Sequence, residues 1–564
     1  MKYQFRYFCF TFWLFLFFVF LQATANSQAN LILINGRVWT ENEKAPWAEA
    51  VAIKENKILA VGKNSQIKKL ASKNSQMIDL GGRLLIPGFN DAHTHFLGGS
   101  LDLTEVSLTG ARSLELMQQR VKDFAAQHPN ETWITGAGWE YASFPNQQLP
   151  TRAQLDAVVS DRPVYLRAYD GHTGWMNTKA LQLAGITKDT KFDGFGEIVR
   201  DANGEPTGAL KEGAQGLVRK FVPEPSREKK LNALRQGMKL AASLGITSFQ
   251  NASGSPEELA LYEELLQRGE LSIRASIAFS VAQKLSDDSL AKMVALKEKY
   301  KSNPMLRAAA VKFVLDGVIE SHTAAMIDPY SDAPTLRGTP SHKAEIYNEL
   351  VSKCSKAGFQ IYTHAIGDRA VQMALDAYEK IQSGSKNPDL RSRVEHIETV
   401  SAVDLLRFGK LGVLASMEPI HADPDTIEVW SKAVGSERIK RAFPWNELSK
   451  SGAKLVFSSD WPATISVDPI RGLHNAVNRK TTEGNPVGGW IPEQRVTIQQ
   501  AVKAYTSAGA FASFEEKIKG KIVAGMLADL IVLSLDFFKI DPLKIHETKV
   551  TMTVFDGKII YQIK

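Results

Sequence analysis

Side chains of the kinds that bind metal sit at the ends of short apolar runs in this chain, and the runs recur in phase. Tyr362-Thr363-His364 closes one run, Arg393-Val394-Glu395-His396 another, and Phe457-Ser458-Ser459-Asp460 a later one. His364 and His396 stand 32 residues apart, and His396 and Asp460 stand 64 apart. One strand-and-helix unit of a (β/α)₈ barrel takes about 31 residues, so the intervals match one unit and two. Eight apolar β-type runs carry the pattern: 84–95, 245–251, 273–280, 309–317, 359–364, 393–399, 412–419 and 455–460. Helix-like stretches at 229–244, 344–357 and 368–383 lie between several of them. This alternation predicts parallel strands with helical crossovers, hence an α/β barrel. From His95 to Lys312 the chain runs 217 residues for only three units. That is roughly 120 residues more than barrel spacing needs, and an inserted subdomain is expected at about 105–230. Both ends differ in character. Leu31–Ile34, Arg37–Trp39, Val51–Ile53 and Ile58–Val61 at one end, and Leu530–Leu533, Thr551–Phe555 and Ile559–Tyr561 at the other, are short strand-like runs. Turn pairs such as Asn35-Gly36 and Asp556-Gly557 separate them, which are hairpin signals.

Residues 1–25 read as a secretory signal: Lys2 and Arg6, a Phe-rich apolar run from Phe8 to Leu21, then Ala23-Thr24-Ala25 as a cleavage site. The run falls short of the ~20 residues of a comfortable membrane span. A periplasmic or secreted protein without a stable membrane anchor is expected, the alternative being an uncleaved anchor. Cys9 would leave with the signal, so Cys354 would stand alone without a disulfide partner. The chain has 564 residues, 44% hydrophobic and 23% charged. These are the proportions of a globular protein, which excludes disorder and collagen-like repeats. The net charge of +7 is mild for this length. With no dense basic cluster or recognition motif, no nucleic-acid partner is expected. The expected partner is a small-molecule substrate, and a homodimer stays open.

The first run ends Asn90-Asp91-Ala92-His93-Thr94-His95. Residues two apart in a strand share a face, so His93 and His95 can grip one ion together. Barrel chemistry sits at the C-terminal strand ends, where His364, His396 and Asp460 also fall. The fourth run, Ala309–Gly317, carries Lys312 among apolar residues. A buried lysine is costly unless paired or modified. If CO₂ carbamylates Lys312 it becomes a carboxylate able to bridge two cations; the alternative is a lysine that snorkels or pairs with Asp316.

Several motifs together resemble the amidohydrolase superfamily, and within it the amidohydrolase-3 branch that includes N-substituted formamide deformylase-like proteins. They are IPGFNDAHTHF (86–96), DGHTGWMN (170–177), GEPTGALKE (204–212), VKFVLDG (311–317), THAIGDRAV (363–371), RVEHIE (393–398), SSDWP (458–462) and the tail 517–534. The resemblance implies a distorted TIM (β/α)₈ barrel over 87–517, carrying the insertion, and a small β-sandwich built from both chain ends, 26–86 and 518–564. It implies His93, His95, Lys312, His364, His396 and Asp460 as ligands of one or two divalent ions, zinc foremost. Two departures stand out. Gln250-Asn251 ends the second run where an acidic residue is common, and Glu418 precedes Pro419 where glutamine is common.

The chemistry expected is hydrolysis of a carbon–nitrogen bond in a small amide, N-acyl or N-formyl compound. A divalent ion supplies hydroxide at neutral pH and polarises the carbonyl. Asp460 would take a proton from water and pass it to the leaving nitrogen. The resemblance suggests that His172 in the insertion polarises a carbonyl or binds a substrate oxygen. Asp170 and Asn177 beside it, and Arg369 and Trp461, which directly follow ligand motifs, are candidate substrate contacts. His322, His421 and His474 are read as structural or pocket-lining. A deaminase, an ester or lactone hydrolase, and a ligand-binding protein on an inactive barrel are the competing readings.

Overall fold

The computed structural model describes residues 28–144, 148–194, 196–385, 387 and 389–563. The expected signal at 1–25 lies outside them. The described chain divides into two compact units. One comprises residues up to Gly88 together with Phe514–Asp536 and Lys549–Lys564; the other comprises Phe89–Ser513 with Phe537–Thr548.

The larger unit is built on an eight-stranded parallel sheet curled into a nearly closed barrel. In chain order its strands are β1 (Phe89–Thr94), β2 (Ile246–Gly254), β3 (Arg274–Ser280), β4 (Leu306–Val314), β5 (Gln360–Ala365), β6 (Arg393–His396), β7 (Leu414–Met417) and β8 (Leu455–Phe457), each paired with the next. All eight apolar runs supply a barrel strand. The last gap, from β8 back to β1, is bridged just past the strand end, where Asp460 N donates to His93 O at 2.8 Å and His95 N to Trp461 O at 2.7 Å. The crossover helices Arg227–Ser243, Ala344–Lys356 and Asp368–Ser383 match the expected stretches within two residues. The first is capped by Ser226, whose side chain accepts from Lys229 N.

Between β1 and β2 in sequence lies a separate six-stranded sheet, from Val106–Ser107 to Pro206–Glu212. It has its own core around the fully buried Trp139 and Trp175, with Phe144 packed edge-on to both.

The smaller unit holds two sheets. One has four strands from residues 31–79; the other has six, drawn from both chain ends. The ends meet where Leu84–Pro87 runs antiparallel to Leu530–Leu533. Leu33, Val51, Leu85, Leu530 and Val554 share one buried cluster between the sheets.

The structure departs from the sequence reading in three places. The run 84–95 is two strands, Leu84–Pro87 in the smaller unit and β1 in the barrel, broken at Gly88 after a proline that has no N–H to donate. Leu31–Ile34 and Arg37–Trp39 form no hairpin. Each joins a different sheet, with Asn35 in the left-handed region (φ 52°) at the corner. The stretch 537–548 groups with the barrel rather than with the tail around it: Asn478 donates to Pro542 O at 2.8 Å and the His474 and His546 rings meet edge-on. Asp556-Gly557 does turn a hairpin, with both residues at positive φ. Among the described residues no helix is long and apolar enough to cross a membrane.

Candidate active site

The C-terminal ends of the barrel strands bring distant residues into one buried cluster. Nitrogen and oxygen atoms of His93 (β1), His396 (β6) and Asp460 (just after β8) all lie within 4.8 Å of one another. His93 Nδ1 faces Glu395 Oε2 at 2.6 Å, and His396 Nδ1 faces Glu418 Oε2 at 2.8 Å. Each carboxylate therefore occupies one ring nitrogen and leaves Nε2 for the mouth, the arrangement that orients histidine ligands in metal sites. Asp460 Oδ1 is 3.3 Å from His93 Nε2 and 3.2 Å from His95 Nε2. Yet that oxygen is buried and receives no well-aligned hydrogen bond, His95 Nε2 being the one ring nitrogen placed to share a proton with it. A buried carboxylate oxygen without a well-aligned donor, ringed by imidazole nitrogens, fits a divalent cation.

Of the six expected ligands, His93, His396 and Asp460 share the donor cluster. His95 approaches it through Asp460, and its Nδ1 meets Ser253 Oγ at 3.0 Å. Lys312 approaches through His93, with Nζ 3.3 Å from Nε2. His364 lies ring to ring with His396 at 4.4 Å, but its Nε2 is turned to Gly317 O at 3.3 Å.

Burial and charge set the protonation of these groups. Burial, helped by the Lys312 charge, lowers His93 to about 4, and burial followed by the His396 charge holds His364 well below its ordinary value. Burial also lowers Lys312. Burial would raise Asp460, but the His93 and His95 rings override it and hold the carboxyl well below the usual range. Glu395 behaves alike, burial being overcome by Arg393 and His93. His396 goes the other way: burial opposes protonation, but the Glu418 charge and hydrogen bond raise it, so this ring must give up its proton to ligate metal.

The cluster opens into a cleft lined by Asp460, His421, Glu398, Asp170, His172 and Glu320. His172 Nδ1 bonds Glu212 Oε2 at 2.8 Å, and Asp170 accepts from His172 N and from Tyr141 OH. Burial opposes protonation of His172, but the Glu212 hydrogen bond and the Asp170 charge raise it to about 9.

Three expected substrate contacts have other work. Asn177 is wholly buried and caps the helix Thr178–Leu183, its Oδ1 accepting from Ala180 N and Val164 N and its Nδ2 donating to Val159 O and Arg162 O. No hydrogen-bonding capacity remains for a ligand. Arg369 is exposed on the first turn of Asp368–Ser383 and reaches Gln372 instead of the cleft. Trp461 packs its ring edge-on against Phe96, outside the cleft.

Other roles in the site escaped sequence reasoning, and one of the two departures, Glu418, touches a proposed ligand, His396. Glu395 and Glu418 orient the ligand imidazoles, and Arg393 donates to both oxygens of Glu395. Gln250, one of the two departures, accepts from Arg393 Nη1 and donates to Asn90 Oδ1 and Gly509 O, so its amide locks that network. The signal for Glu395 was present: Arg393 and Glu395 are two apart on a buried strand and so share a face.

A model of the amidohydrolase family matches residues 76–561. The chain belongs to the amidohydrolase family. It is thus a hydrolase acting on carbon–nitrogen bonds, and the donor cluster at the barrel mouth is where a metal-dependent hydrolase of this family needs one. This amidohydrolase is 30% identical over 96% of its length to the protein LONG AFTER FAR-RED 3 of Arabidopsis thaliana, covering 93% of that protein. It is 26% identical over 94% of its length to the N-substituted formamide deformylase of Arthrobacter pascens, covering 98% of it. Among solved structures, an uncharacterized metal-dependent hydrolase from Pyrococcus horikoshii OT3 is 27% identical with a TM-score of 0.72, the match covering 91% of this chain and 99% of that one.

Proposed function

We propose that this chain hydrolyses a small amide, N-acyl or N-formyl compound, using one or two divalent ions, zinc foremost, held by His93, His396 and Asp460 with His95, His364 and Lys312 at hand. The observation that carries the reading is the buried Asp460 Oδ1, without a well-aligned donor, among imidazole nitrogens at the head of an open cleft. A bound divalent ion supplies activated water at neutral pH and polarises a carbonyl. Asp460 stays ionised, the state that takes a proton from water and hands it to the leaving nitrogen. His172, protonated at neutral pH and lining the cleft, donates a charge-assisted hydrogen bond to the substrate oxygen, roughly twice as strong as a neutral one. Lowering of the Lys312 amine by burial favours the neutral form that CO₂ can carbamylate. A carbamate there would hold a second ion, giving two per chain in bicarbonate and one in Lys312→Ala. The formamide-cleaving relative supports formamides as the first compounds to try.

The test is a panel of N-formyl compounds, N-acyl amino acids, cyclic amides and matched esters, offered to zinc-loaded protein. Release of amine supports the proposal; turnover of esters alone, or of none, overturns it. Export follows from the N-terminal reading, and a mature protein starting after Ala25 in a periplasmic or culture fraction supports it.

A further inference from the structure

Glu212 ends the last strand of the inserted sheet, and it holds a backbone conformation that side chains rarely take. Its φ is 49° and its ψ −130°, the first-corner geometry of a type II′ turn, normally glycine's. Such a conformation is strained and persists only where the surroundings enforce it. The Glu212 carboxyl, with a side chain only 10% exposed, divides its two oxygens between two parts of the chain. Oε2 takes the His172 Nδ1 bond at 2.8 Å. Oε1 accepts from Ser321 Oγ at 3.2 Å and Thr323 Oγ1 at 3.4 Å, in the loop that follows β4. Glu212 N also donates to His172 O at 2.8 Å, so the residue grips the histidine by backbone and by ring. That loop supplies Val318 and Glu320 to the cleft wall.

We propose that Glu212 is a positioning residue that aims His172 Nε2 into the cleft and ties the inserted sheet to the loop after β4, so that one carboxyl holds both of these contributors to the cleft lining. With Nδ1 committed to Glu212, only Nε2 is left for a ligand. The groups acting on the ring are Glu212 itself, Asp170 from the same turn, Glu320 from the loop after β4, and His364 at the end of β5. The kinetic arm of this inference rests on the proposed hydrolase reading; the structural arm does not.

The experiment follows the His172 ring by NMR in isotopically labelled, metal-loaded protein, and measures kcat and KM, in three variants. Glu212→Gln keeps the shape and removes the charge. Glu212→Gly relieves the backbone strain and removes the side chain, so it separates the carboxyl's role from the turn's. Ser321→Ala with Thr323→Ala removes only the loop's grip. In the parent His172 titrates near 9. In Glu212→Gln and Glu212→Gly it falls toward the ordinary imidazole value of about 6.5, with metal content unchanged and kcat/KM down about 10–100-fold. The Ser321/Thr323 double variant keeps the titration and raises KM about 3–10-fold. An unmoved His172 titration in Glu212→Gly overturns the inference whatever the kinetics. A moved titration in a protein that cleaves no carbon–nitrogen bond leaves the clamp standing and removes the hydrolase reading instead.

Discussion

At the scale of single residues, Asp460 and Glu395 separate chemistry from support. Asp460→Asn keeps size and hydrogen-bonding shape but cannot take a proton, so kcat is expected to fall by about 10²–10⁴; the comparison is steady-state rates at matched metal content. Glu395→Gln acts one step removed. It strands the buried Arg393 guanidinium and weakens the acceptor on His93 Nδ1. Breaking a buried pair costs roughly 3–5 kcal/mol, and loss of such an orienting partner weakens metal about 10–100-fold. Denaturant melts and metal titration against a competing chelator measure the two. The sequence showed Asp460 and the two β1 histidines because strand alternation and barrel spacing both act on them directly. It showed Glu395 and Glu418 as residues but hid their pairing with His93 and His396, which is set by barrel closure rather than by local pattern. Asn177 misled for a related reason: a polar side chain beside a histidine can serve a ligand or a helix end, and only the strand-to-helix geometry at 176–178 tells which.

At the scale of elements, two contacts govern how the mouth is held. The helix Phe96–Asp102 leans on the segment after β8 through Gly99, where a Cβ would overlap the Trp461 ring. The Trp461 carbonyl receives His95 N and Thr94 Oγ1, so moving the ring moves the backbone between Asp460 and the β1 histidines. Gly99→Ala is therefore expected to cost about 1–3 kcal/mol and to lower metal occupancy with it; a stability loss at full occupancy would show that Trp461 is decoupled from the site. The second contact is the His172–Glu212 pair at the edge of the inserted sheet, and it depends on pH. His172 in the folded chain is raised above its ordinary value, so its contribution to stability is complete below about 6.5 and is lost as pH climbs through about 9. The melting-temperature gap between parent and Glu212→Gln should accordingly narrow between those pH values. The barrel strands were legible because each is a continuous apolar run, as strands covered on both faces must be. The inserted sheet was legible only as surplus length, since its strands are short and out of chain order, Pro206–Glu212 lying between Gly196–Arg200 and Thr173–Met176.

At the scale of the whole molecule, every donor cluster found among the described residues lies in the barrel unit; the unit made from the chain ends contributes no ligand. Metal binding should then act as a folding ligand for the barrel. A ligand present at 100 times its dissociation constant and bound only by the folded state adds about 2.7 kcal/mol, which in a unit of this size moves the melting temperature by a few degrees. The shift is expected to exceed this for a tight site, because removing the ion leaves Asp460 Oδ1 buried with no well-aligned donor. Differential scanning calorimetry of metal-loaded protein, chelated protein and chelated protein refilled with zinc measures it. Asp460→Asn discriminates further: its amide no longer needs a cation, so the chelated variant should melt above the chelated parent while its metal-loaded form melts below the loaded parent. If the chelated parent and variant melt together, Asp460 Oδ1 is satisfied without an ion, and the argument from its missing donor to a metal centre fails.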